Sequence, residues 1–190
     1  MKKIALILVF TLILSVMAPL SAVADNTRPV AVDNNGFCVD EDEFMEMLLD
    51  MMNGKYPELY GYNFDVELYD STKDEGFSIY SIIATNFYAM ISFLNADASE
   101  TDKDDRYDDV LVVVNTDEIE KGEYWCILIA TAIALLTNKE LDDCDEAMQY
   151  VLDNFNGSED QWTQTVPMEY NFTSITGMVI FAAREIEAFK

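Results

Sequence analysis

The first residues separate from the rest by pattern alone. Ile4 to Met17 (IALILVFTLILSVM) is an apolar run broken by Thr11 and Ser15, with Lys2 and Lys3 before it and Pro19 and Ala22-Val23-Ala24 after it. A charged start, a short apolar stretch and a small-x-small site predict a secretory signal peptide over 1–24, cleaved after Ala24. The run is short for a helix that stays in a membrane. Residues 25–39 open polar and turn-rich (DNTRPVAVDNNGF), predicting a flexible leader. From Asp40 the apolar positions recur at helical spacing: Phe44, Met47, Leu48, Met51 and Met52. Asp40 with Glu43 makes a capping box and Asn53-Gly54 a stop, so a helix is expected over 41–53.

The period then changes to two. Phe64, Val66 and Leu68 alternate with Asp65, Glu67 and Tyr69, which predicts a half-buried strand. Residues 77–84 (FSIYSIIA) and 87–94 (FYAMISFL) predict a hairpin turning at Thr85-Asn86. Val110 to Val114 is a continuous run suited to a central strand. Glu123 to Thr137 is apolar on nearly every side and too short to cross a bilayer, so it predicts a helix buried against a sheet. Asp143 and Glu146 open another helix, 143–155, and two strands follow over Thr165–Thr173 and Ser174–Ile186, with Pro167 placing the first near an edge. The order α-β-β-β-β-α-α-β-β predicts one α+β domain over 40–190, an antiparallel sheet with helices packed on one face.

At an offset of 103, Asp42, Glu43, Met45, Leu49, Asp50, Asn53 and Gly54 match Asp145, Glu146, Met148, Leu152, Asp153, Asn156 and Gly157. Two helix-plus-strands half-repeats would give this pattern, and so would convergence of two capped amphipathic helices. In element order alone the chain is similar to small helix-on-curved-sheet folds, the cystatin-like and TATA-binding-protein-like folds among them. No motif residue is shared, so the likeness implies no activity.

Composition narrows the chemistry. The 190 residues hold 36 Asp and Glu, 11 Lys and Arg and no His, a formal net charge of −25. Loss of the signal would remove two lysines and no acid, taking the charge to −27. Such a surface disfavours nucleic acid and anionic membranes. Hydrophobic residues make up 51%, which argues against disorder despite the charge. Without His there is no Ser-His-Asp or Cys-His nucleophile and no imidazole metal ligand. The two-lysine start points to a bacterial chain, exported across the cytoplasmic membrane, with no membrane insertion after cleavage.

Four features of the sequence bear on function. The loop 95–109 gathers Asp97, Glu100, Asp102, Asp104, Asp105, Asp108 and Asp109, so a Ca²⁺-associated protein is one alternative, with Asp97, Asp102, Asp104, Asp105 and Asp108 as candidate ligands. An EF-hand register fails, because Asp102 stands where Gly is required, and a solvated loop is the simpler expectation. Tyr60, Tyr62 and Trp162 lie in links and are candidate partner-binding aromatics. Of the cysteines, Cys126 is expected to be a buried apolar residue, while a Cys38–Cys144 bridge is left open. A carboxylate hydrolase is the second alternative, although 36 acids bring some pair close in any fold. The expectation is a secreted, acidic, non-catalytic binding domain without a catalytic residue or a cofactor, whose partner is a protein or surface component carrying basic groups.

Overall fold

The computed structural model describes residues 29–33, 36–55, 65–74, 76–85, 87–94, 107–115, 119–141, 143–154, 163–165, 168–175 and 178–185. Among them are a small hairpin, β1 (Val32–Asp33) and β2 (Gly36–Phe37), then helix α1 (Glu41–Met52) and strands β3 (Glu67–Asp74), β4 (Phe77–Ala84), β5 (Phe87–Leu94) and β6 (Asp109–Asn115). Helices α2 (Ile119–Thr137) and α3 (Cys144–Asn154) follow, then β7 (Thr163–Thr165), β8 (Met168–Ile175) and β9 (Met178–Glu185). Strands β3 to β9 form one sheet in the order β3-β4-β5-β6-β9-β8-β7, every neighbouring pair antiparallel. This is the expected α+β class. Each of α1 and α3 leads into a meander that runs from a sheet edge to the centre, and the two meanders meet at β6 and β9. That is the layout expected of two helix-plus-strands halves.

The sheet has a covered side. Tyr80 and Ile82 on β4, Ala89, Ile91 and Phe93 on β5, Val110, Val112 and Val114 on β6, and Phe181 and Ala183 on β9 are buried and share one face by register. Helix α2 lies against β6 and β9 there, flanked by α1 and α3. Every residue from Cys126 to Asn138 is buried, as an all-round apolar helix requires. The two threonines of this buried stretch are satisfied within the core. Thr131 and Thr137 donate to the carbonyls of Ile127 and Ile133 at 2.7 Å. The Thr137 hydrogen being committed, the Tyr170 hydroxyl donates to Thr137 at 2.7 Å and ties β8 to α2.

Both expected caps form. Glu43 N–H donates to Asp40 Oδ1 and Glu146 N–H to Asp143 Oδ1, each at 2.8 Å, each satisfying an orphan helix donor. The hairpin 77–94 occupies the expected residues, and Val110–Val114 lies in the middle strand. Other expectations need correction. The stretch 25–39 is partly built into the core and is not a loose leader: Ala31, Val32 and Phe37 are buried, and Ala31 N–H donates to Leu136 O at 2.8 Å, closing the end of α2. Three apolar side chains within a polar stretch were enough to bury it. The strand expected to start at Phe64 and lie half-buried starts at Glu67, and all eight residues of β3 are exposed. Only Val66, just ahead of it, is buried, set there by Asp65 in the left-handed region at φ 47. At the C-terminal end there are three strands where two were expected. The signal sequence, Phe64 and Pro167 lie outside the described residues.

Tyr107 sits beneath α1 in an aromatic cluster, its ring 4.3 Å from Phe37 and 4.8 Å from Phe93 between centroids. It is 4% exposed, and its hydroxyl has no hydrogen-bond partner. Burial pushes its pKa far above the ordinary tyrosine value, so the group stays a neutral, unsatisfied donor. A buried unpaired hydroxyl costs about 1–3 kcal/mol, and Phe removes it without opening a cavity. Tyr107→Phe is therefore expected to raise unfolding stability by about 1 kcal/mol or more in urea titration; a less stable variant would show that the hydroxyl is satisfied in solution.

Candidate functional site

The side of the sheet away from the helices carries Phe77, Ile79 and Ile83 on β4, Tyr88, Met90 and Leu94 on β5, Leu111 and Val113 on β6, and Ile180 and Ala182 on β9, with Ser81 and Ser92 set among them and Tyr88 donating to Ser81 at 2.8 Å. By register they form cross-strand rows, Ile83 opposite Tyr88, Phe77 opposite Leu94, and Met90, Val113 and Ile180 in line. None of these side chains is fully buried, and Ile83, Tyr88 and Leu94 are exposed. Apolar area gathered on one bare face, rather than scattered singly, is a mark of an interaction surface.

Its margins are acidic. On β3 the positions facing this side are Glu67, Asp70, Thr72 and Asp74. At the opposite corner Asp109, Arg184 and Glu169 stand in one cross-strand row. Arg184 donates through Nε and an Nη to Glu169 Oε2, at 2.9 and 2.7 Å, which commits that guanidinium to its neighbour.

Strand β3 has no helix over it, yet both its ends are held by α1. At the start, Asn53, just past α1, accepts from Val66 N–H at 2.7 Å and donates to Val66 O at 2.9 Å. At the far end Lys73 donates to Asp42 at 2.6 Å and stands 3.4 Å from Glu41. The Tyr80 hydroxyl donates to Asp42 at 2.5 Å, and Ser78 donates to Glu41 at 3.1 Å. The Lys73 ammonium also lies 5.6 Å from the centre of the Tyr80 ring. The hydrogen bonds from Lys73 and then Tyr80 hold the Asp42 carboxyl below the ordinary carboxylate value. Burial opposes the Lys73 charge, but hydrogen bonds to Asp42 and Tyr80 outweigh it and raise its pKa. Burial first, then the bond to Asp42, pushes Tyr80 up to about 12.

Asp97, Asp102, Asp104 and Asp105 lie outside the described residues, as do Tyr60, Tyr62 and Trp162. Asp108 is described: it is half-buried, and its N–H donates to Leu94 O at 2.7 Å, pinning the start of β6. Among the described residues no three His, Cys, Asp or Glu side chains come together in an arrangement that would hold a metal ion. Cys38, Cys126 and Cys144 are all free thiols in the structure. Burial raises the pKa of each, that of Cys144 to about 12, so none is held as a thiolate near neutral pH. Among the described residues no helix is long and apolar enough to cross a membrane.

The open face and the exposed strand were not foreseen as a site. The signal was present in FSIYSIIA and FYAMISFL, which carry apolar residues in both registers. Strands of that kind need cover on two sides, and the helices supply it on one. Comparison with family models, curated proteins and solved structures finds no match to this chain.

Two outcomes test the tethering of β3. Asn53→Ala leaves both Val66 backbone groups without that side chain and is expected to cost about 1–3 kcal/mol in urea unfolding; no loss would mean the bonds are dispensable. Lys73→Met addresses pH dependence. The lowered Asp42 pKa stabilises the fold above the ordinary carboxylate value and is lost as pH falls through the folded value. The raised Lys73 and Tyr80 values stabilise it below their ordinary range and are lost as pH rises through the folded values. The difference in stability between wild type and Lys73→Met is therefore expected to stay flat between about pH 5 and 9 and to shrink on both flanks. Solvent screening keeps it to about 1 kcal/mol or less. A difference that ignores pH would contradict the electrostatic tether.

Proposed function

We propose that this chain is a secreted bacterial, non-catalytic binding domain whose open sheet face docks a partner protein carrying basic groups around an apolar contact. The observation that carries the reading is the bare face itself, an apolar centre bordered by acidic side chains on a chain with a formal net charge of −25. Apolar contact supplies affinity, while the acidic border steers and selects the partner. Like charge opposes a second copy of the chain on the same face. Export follows from the signal-type start and remains part of the proposal.

The test uses the purified protein as bait against culture fluid and surface extract of the host, beside an Ile83→Lys/Leu94→Lys variant. Both substituted residues are exposed, so the fold is expected to survive, which a melting curve checks. The expected result is a basic protein held by wild type, released by added salt, and held at least tenfold more weakly by the variant. Equal capture by both baits, or a preference for polyanions, would overturn the reading.

A further inference from the structure

The two edges of the sheet differ in kind. β7 is three residues long, whereas β3 is eight residues long and exposed along its whole length. Leu68 and Tyr69, 47% and 69% exposed, are the most exposed large apolar side chains among the described residues. Long, uncovered edge strands offer a row of backbone donors and acceptors to any extended chain, and folded proteins ordinarily shorten, cover or charge them. Here the length is kept, with one edge donor, Ser71 N–H, bonded to Asp70 Oδ1 at 2.9 Å, and the strand is held at both ends by α1, through Asn53 to Val66 and through Asp42 to Lys73. An edge fixed in this way has already lost the freedom that pairing would cost.

The charges on the strand decide what it accepts. Glu67, Asp70 and Asp74 project to one side, and the cation of the strand, Lys73, is on the other side bonded to α1. Pairing with a second β3 would set acid against acid, and like charges directly opposite are destabilising. A basic strand meets the complementary charge. The irregular register between Leu68 and Asp70 bulges Tyr69 at the start of the strand and leaves 70–74 in unbroken register.

We infer that β3 is a pairing edge for an extended, basic segment of a partner protein, which adds to the sheet as a further strand through main-chain hydrogen bonds. The inference rests on reading the chain as a binding domain, but not on the open face as its contact. The probe is a fluorescent eight-residue peptide of alternating Lys and Val, beside versions with Glu for Lys and with two inner residues replaced by Pro, which removes main-chain donors. Affinity is read by anisotropy and the contact by hydrogen exchange of the purified protein. The expected result is binding of the Lys peptide with slowed exchange within 67–74. Affinity should fall at least tenfold for the Pro and Glu versions and about threefold or more in Glu67→Gln/Asp70→Asn. It should stay unchanged in Tyr88→Ser/Leu94→Ser, an open-face change on β5 that touches no partner of β3 and adds no charge. No binding, equal binding of the Pro version, or protection confined to β5 and β6 would overturn the pairing edge.

Discussion

Helix α2 sets the terms for the rest of the molecule. Thirteen successive residues, Cys126 to Asn138, are buried, so the helix has no side to give to water. Such a helix needs cover all round. The sheet provides it beneath through β6 and β9, α3 and α1 provide it alongside, and the hairpin β1–β2 closes its end through Ala31. All three helices are thereby drawn to one side of the sheet. The apolar face on the other side is the structural counterpart of that demand, since no described helix is left to cover it.

Charge is put to more than one use. The chain carries 36 acids, and two roles stand out among the described ones. Asp40 and Asp143 cap helices, while Asp42 and Glu41 hold Lys73. Glu67, Asp70 and Asp74 border the exposed apolar area. The first group stabilises the fold, and in the proposed function the second selects basic partners over like-charged ones.

Much of the architecture was legible in the residues because its causes are local. Asp40 with Glu43, and Asp143 with Glu146, mark where helices begin, since an N-cap is decided within four residues. The hairpin 77–94 was legible from its run lengths and the turn between them. What escaped depends on contacts distant in sequence. The burial of Ala31 depends on the end of α2 a hundred residues later and that of Phe37 on Tyr107 seventy residues later, and nothing in DNTRPVAVDNNGF announces either. The exposure of Leu68 depends on which strands lie beneath helices, so alternation alone misplaced it in the core. The open face escaped for the same reason: FSIYSIIA and FYAMISFL carry apolar residues in both registers, and which register stays open is decided only when the helices settle on one side of the sheet. Tyr60, Tyr62, Trp162, Asp97, Asp102, Asp104 and Asp105, which stood out in the sequence, lie outside the described residues.

The open face rests on one physical statement, that the two sides of the sheet differ in access to water, and hydroxyl-radical footprinting of the free protein at low concentration measures it directly. Ile83, Tyr88 and Leu94 should be modified rapidly, along with Leu68 and Tyr69, while Tyr80, Ile91, Phe93 and Met51 stay protected until the protein unfolds. Equal protection of both sets would mean that the face is covered in solution, and it would contradict an open docking surface.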